Sequence, residues 1–174
     1  MHNLSSDEAG KMILKSKRLI LRPAKISDAK ILFNYEQDSE AKKNFMTTSK
    51  SIAEVIKGIK KKERNSEGFV IEYEGKVVGS IGIHDIIPGH KAISSSLVAK
   101  QFRGKGIGTE AHKLFLKYVF KKYKLKRIQG NVRSFNKASA RMLEKAGYKF
   151  EGRLRKNKLK EGKFMDDLIY AIVK

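Results

Sequence analysis

The 174-residue sequence has no cysteine, no tryptophan and only two prolines. Without cysteine there is no disulfide framework, no thiolate metal site and no cysteine nucleophile to carry a covalent acyl intermediate. The absence suits a reducing compartment. No apolar run approaches the ~20 residues needed to cross a bilayer. Asp7, Glu8, Lys11 and Lys15 interrupt the first segment, which therefore lacks the apolar stretch of a signal peptide. A cytoplasmic protein with no membrane partner is expected. The four histidines, His2, His84, His90 and His112, are too scattered to suggest a metal site. The length suits one domain with a core of its own.

Acidic residues are also scarce, 18 against 39 basic ones, for a net charge of +21. The imbalance is concentrated late: residues 1–99 carry 17 bases and 12 acids, residues 100–174 carry 22 and 6. A basic half favours polyanionic partners and repels polycations. Only nine of the bases are Arg, whereas phosphate recognition at fixed geometry prefers Arg's planar fork. Charge alone therefore decides nothing about nucleic acid.

Residues 17–23 alternate as a first strand, stopped by Pro23. Ser27 and Asp28 cap a helix carrying Ile31, Leu32 and Tyr35, and a second helix runs from about Ser51 to Arg64. Phe69 to Glu74 and Val77 to Ile87 read as a hairpin around Gly75. Ala92 to Val98 is another strand, with Ser94, Ser95 and Ser96 in a row. An amphipathic helix follows, with Ala111, Leu114, Phe115, Tyr118 and Val119 on its apolar face. Lys126 to Val132 is a short strand, and Asn136 to Ala146 a helix with Gly147 at its C′ position. Tyr148 to Arg155 and Phe164 to Val173 form a closing hairpin joined by a basic loop, Lys156 to Lys163. The order β-α-α-β-β-β-α-β-α-β-β predicts one α+β domain, with a mixed, mostly antiparallel sheet of about seven strands and helices on both faces. Residues 1–16 read as an N-terminal extension and 17–174 as the domain.

Between strand and helix lies a glycine-rich turn, Gln101 to Thr109, with Gly104, Gly106 and Gly108. Such a turn gathers backbone N–H groups at a helix N-terminus and makes an anion site. It is not a P-loop, because Lys105 is followed by Gly106 rather than Ser or Thr. Nor is it a dinucleotide fingerprint, because the glycines are spaced G-x-G-x-G and the next strand ends in Gln129, Gly130 and Asn131. Kinase and zinc-hydrolase signatures are absent.

Gln101-x-x-Gly104-x-Gly106 resembles the Q/R-x-x-G-x-G/A motif with which the GNAT N-acetyltransferase superfamily binds the pyrophosphate of acetyl-CoA. Asn136-x-x-Ser139, Glu144 to Tyr148, and Glu151-Gly152 resemble the second half of that fold. Lys17 to Arg22, and Gly162-x-Phe164-x-Asp166 ending in Tyr170, are similar to the first and last strands of its RimJ/RimL-like ribosomal-protein branch. The likeness spans residues 17 to 173. It implies that the backbone of Leu97, Val98 and Ala99 holds the pantetheine arm and helps polarise the thioester. Amides of Arg103, Gly104, Lys105, Gly106, Ile107, Gly108 and Thr109 would hold the pyrophosphate, with Asn136 and Ser139 beside the thiol. Acetyl transfer would be direct, in keeping with the missing cysteine.

Two positions depart from the family pattern. Leu143 stands where many members carry a Tyr general acid, which leaves Ser139 as the nearest hydroxyl. Ile93 stands where this branch often has Glu, which leaves His84 as a candidate base, since imidazole ordinarily titrates near ~6.5; Glu72 and Glu74 are alternatives. Poor base equipment suits an α-amine, of pKa ~8, better than a lysine side chain near ~10.4. The expected acceptor is thus a protein N-terminal amine, with the basic half contacting the ribosome or an acidic protein, as monomer or homodimer. The competing readings are a non-catalytic acetyl-CoA-binding module, a small-molecule amine acetyltransferase and, more weakly, a nucleic-acid binder.

Overall fold

Strand alternation and helix periodicity separate along the chain in the computed structural model, which describes residues 12–61 and 63–174. Eight strands form one sheet: β1 (Leu14–Lys15), β2 (Leu19–Arg22), β3 (Glu67–Tyr73), β4 (Lys76–Ile87), β5 (Lys91–Val98), β6 (Arg127–Arg133), β7 (Lys149–Lys160) and β8 (Lys163–Val173). Their order is β1-β2-β3-β4-β5-β6-β8-β7. Only β5 and β6 pair in parallel; the other pairs are antiparallel. The helices are α1 (Ala29–Glu36), α2 (Ser39–Asn44), α3 (Ile52–Lys60), α4 (Ile107–Tyr123) and α5 (Lys137–Ala146). This is the α+β mixed sheet that the sequence predicts, with one strand more.

The additional strand is β1, whose Leu14 and Lys15 pair with Leu21 and Ile20. The expected extension otherwise falls on residues 1–11, outside the described residues. Two boundaries also differ, and one helix is added. Residues 156–160 and 163 are strand rather than loop, and the chain turns only at Glu161 and Gly162, both with positive φ. Lysines guard this exposed edge against pairing with other chains, and so give it a loop-like composition. The second expected helix stops at Lys60. A short helix not anticipated, α2, starts at Asp38, whose carboxylate accepts the Glu40 and Ala41 N–H groups.

Phe115 of α4 packs edge-on against Phe69 of β3 at 5.6 Å and is fully buried with Leu19, Leu21, Ile71 and Ile128. Val70, one residue along β3, points to the opposite face, where it borders a cavity with Leu32 of α1 and Val55 and Ile59 of α3. The sheet thus carries α4 on one side and α1 and α3 on the other.

The feature that positions the site is a split. β5 and β6 pair only from Lys91/Arg127 to Ser94/Gly130. Beyond that row β5 stays with β4 as far as Val98, while β6 stays with β8 as far as Arg133. The two strands part, and each exposes an unpaired edge.

Candidate active site

A cavity of about 470 Å³ fills the split. Ser94 to Val98 form one wall and Gly130 to Arg133 the other. The start of α4 and the inner face of α5 close it below, and Ala41, Asn44 and Phe45 border it from the α2 side. A second cavity of about 990 Å³ lies towards α1 and α3. The two share Phe45, Ser95, Ser96 and Leu97, so the edge of β5 is reached from both sides.

The glycine-rich turn opens into the first cavity. Gly106, in the left-handed region at φ 75°, is the N-cap of α4 and provides no side chain to cap it. The first N–H of the helix to find an acceptor is that of Glu110, on Gly106 O. Among the described residues none of the amides from Gly104 to Thr109 has a partner. These are six consecutive donors at the positive end of a 17-residue helix. Two residues that line the same cavity, Asn44 and Arg133, each keep a buried side-chain atom without a partner, Oδ1 and Nε. Buried polar groups rarely stay unpaired, and an open row of amides at a helix start suits an anionic group. The residues present fit acetyl-CoA.

The arginine of the turn is engaged elsewhere. Arg103 Nε donates to Val98 O at 2.8 Å, its guanidinium pairs with Glu40 and Asp38 of the α2 segment, and its own N–H is bonded to Lys100 O. It ties the turn to the wall of the cavity. Lys105 does not border the cavity: its ammonium lies 5.6 Å from the Phe102 ring centre and its carbonyl accepts from Arg18. Arg18 also forms a salt bridge with Glu110 at 2.6 Å. Burial alone would raise the Glu110 carboxyl, but hydrogen bonds from Ser16 and Arg18 hold it below the ordinary carboxylate range.

The β5 backbone divides differently from expectation. Ala99 N–H bonds to Val78 O across on β4, and Ala99 lies outside the cavity lining. Successive residues of a strand turn their N–H and C=O groups to opposite edges. Leu97 therefore faces β4 like Ala99, whereas Ser96 and Val98 present theirs to the split. On the opposite wall Asn136 caps α5 by accepting the Ser139 N–H at 3.1 Å, and both residues border the cavity. Leu143 packs on Gly130 at the foot of the split.

The structure does not bring His84 to this site. It lies on β4 opposite Ile93, one row beyond the paired end of the split. It is half exposed, bonds to Asp85, and borders neither cavity. The expectation fails because the strand runs on past the split before it reaches His84. Glu72 is locked to Arg22, and Glu74 sits in the β3–β4 turn. Conversely, Ser96, His112 and Arg133 border the cavity without having been anticipated. His112 is hidden in the sequence as a polar residue within a helical apolar face. Among the described residues no helix is long and apolar enough to cross a membrane.

The GNAT acetyltransferase domain family matches residues 18–149. The probable N-acetyltransferase YjcK of Bacillus subtilis is 31% identical over 175 residues, covering 92% of this chain and 97% of YjcK. A GNAT-family acetyltransferase from Bacillus anthracis superposes with a TM-score of 0.83 at 27% identity, covering 93% of this chain and 98% of that one. RimL, a ribosomal L7/L12 α-N-protein acetyltransferase solved with coenzyme A, shares the fold with a TM-score of 0.83 at 18% identity, over 93% of this chain and 98% of its own. The chain belongs to the GNAT acetyltransferase family and is an acyltransferase.

Proposed function

We propose that this protein transfers an acetyl group from acetyl-CoA directly to a primary amine, and that the amine is a protein N-terminal α-amine. One observation carries the reading: among the described residues the amides of Gly104 to Thr109 have no partner, and all of these residues except Lys105 line a cavity whose inner wall, Ser95 to Leu97, also borders a second cavity. The amides would hold the pyrophosphate. The split-facing N–H groups of Ser96 and Val98 would hold the pantetheine arm and the oxyanion that develops on the thioester carbonyl. Asn136 and Ser139 would lie beside the thiol. Acetyl-CoA supplies an activated acyl carbon, and the protein's part is to bring the amine to it in line.

The second cavity supports an amine acceptor. Its described lining carries Glu36, Glu54, Glu63 and Glu67 against Lys50, Lys61 and Lys122, a local excess of acid in a chain of net charge +21. None of these carboxylates is left without a partner, and Glu67 accepts from Tyr118, Tyr123 and Lys122 together. An α-amine, partly neutral at pH 7, needs less help from a base than a lysine does. The RimL-like fold and the exposed bases of β7, including Arg153, Arg155 and Lys156, support a ribosomal-protein N-terminus over a small polycation.

The test is thiol release from acetyl-CoA with two peptides differing only in a blocked N-terminus. Release at least tenfold faster with the free peptide supports the reading. Equal rates overturn the α-amine assignment. Acetyl-CoA binding with no thiol release from any amine would favour a non-catalytic module.

A further inference from the structure

Four side chains lie in a row behind the foot of the split. Ser96 Oγ is 2.9 Å from His112 Nε2. On the other side of the ring, His112 Nδ1 is 3.4 Å from the Tyr148 hydroxyl, which is 2.7 Å from Ser94 Oγ. Ser94 Oγ also donates to Gln129 O at 3.2 Å. The row runs from β5 through α4 and the α5–β7 junction back to β5. Both of its ends border the first cavity, and only Ser96 borders the second as well.

A packing role alone does not require these residue types. The α4 neighbours of His112, namely Ala111, Phe115, Leu116 and Val119, are all buried and apolar, and an aliphatic side chain would continue that face. His112 is instead 1% exposed and stacks edge-on against Tyr148. Among the described residues no charged side chain is bonded to any of the four. Burial pushes the His112 imidazole down to about 4 and raises the Tyr148 phenol. All four groups are therefore neutral at pH 7, each able to accept one proton while passing on another.

We infer that Ser96, His112, Tyr148 and Ser94 form a relay that carries the proton of the attacking amine to the leaving sulfur. The inference rests on the acetyl-transfer reading. As the C–N bond forms and the C–S bond breaks, the nitrogen loses a proton to Ser96 Oγ, and the Ser96 proton passes to His112 Nε2. The Nδ1 proton moves to Tyr148, the Tyr148 proton to Ser94, and the Ser94 proton turns from its bond to Gln129 O and passes to sulfur. Each member ends with as many protons as it had, and the products are a neutral amide and a neutral thiol. Water entering the vacated cavity resets the row by the reverse transfers. The direction follows from the cavities, since the amine arrives where Ser96 is exposed to both and the thiol departs on the side of Ser94. His112 and Tyr148 act through the serines and are positioning residues.

The relay requires the His112 proton on Nδ1 at rest. In the protein alone, histidine ¹⁵N chemical shifts should show the Nδ1–H form, unchanged between pH 5 and 8; the Nε2–H form would overturn the relay whether or not the protein acetylates anything. With acetyl-CoA and a free-amine peptide, Tyr148→Phe should lower kcat at least tenfold while KM for the peptide and Kd for acetyl-CoA stay within twofold. The curved dependence of rate on deuterium fraction should become linear. Ser94→Ala should do the same, which keeps the test open if Tyr148→Phe does not fold. An active protein whose variants keep kcat and the curvature refutes the relay alone. So does a larger loss from Ser139→Ala than from Ser94→Ala, which would place the acid on α5. An unaltered protein that releases no thiol with any amine refutes the acetyl-transfer reading, and the relay with it.

Discussion

Leu143 rests on Gly130: a Cβ at position 130 would lie 2.8 Å from Leu143 Cδ1 and 3.5 Å from Tyr148 Cε1. The contact lies at the row where β5 and β6 last pair, so it fixes the foot of the split. Gly130→Ala should overpack this point and cost roughly 1–3 kcal/mol, read as a fall of several degrees in Tm. Leu143→Ala in the same chain should return part of the loss, because residues in contact are not additive. Strictly additive losses in the double variant would show that the two do not press on each other.

Gly106 adopts φ 75° at the head of α4, where a side chain costs about 1 kcal/mol. A Cβ there would meet only Arg18, at 3.8 Å, so the expected loss of stability for Gly106→Ala is small. Acetyl-CoA affinity should fall at least tenfold as the amide row tilts. Calorimetric titration separates the two effects, and unchanged affinity would place the pyrophosphate elsewhere.

The buried imidazole ties stability to pH. An unfolded histidine takes a proton near ~6.5, whereas folded His112 stays neutral down to about 4. Between these values the unfolded chain binds more protons, so stability rises with pH. The contribution is fully present above ~6.5 and is lost as pH falls towards 4, at roughly 1 kcal/mol per pH unit. Urea midpoints at pH 7.5 and 5 should differ accordingly, and His112→Gln should flatten the difference. An equal slope in that variant would assign the effect to other groups.

Asp167 is fully buried and accepts from Arg133 and from Asn157 at 2.8 Å. It holds the arginine that borders the cavity from β6. Asp167→Ala would strand a buried guanidinium at a cost of about 3–5 kcal/mol, or roughly 10 °C in Tm. Asp167→Asn, which keeps an acceptor oxygen, should lose less. Equal losses would show that shape rather than charge matters here.

The sequence made the succession of elements along the chain and both site-bearing helices legible because these rest on local signals. Alternation marked β2, the turn at Gly75 marked the β3–β4 hairpin, and glycines stood before α4 and after α5. The open start of α4 was readable for the same reason, since three closely spaced glycines before an amphipathic helix leave its first amides uncapped. Features that depend on pairing were not readable. β1 is two residues long and exists only because β2 offers an edge. The basic segment 156–160 is strand because β8 pairs with it, against its composition. His84 was assigned by nearness in sequence to a strand end, and register places it beyond the split. His112 was passed over because its significance lies in Ser96 and Tyr148, sixteen residues before it and thirty-six after.

The central claim is that the β5–β6 split holds acetyl-CoA, and a thermal melt tests it most directly. Acetyl-CoA at ~100 times its dissociation constant should stabilise the fold by roughly 2.7 kcal/mol, several degrees for a chain of this size. ATP at the same concentration, in moderate salt, should give little shift, because it offers phosphates without a pantetheine arm for β5. A shift with acetyl-CoA that ATP does not match is the predicted result. Equal shifts would mean that a basic surface collects polyanions, and would contradict the account.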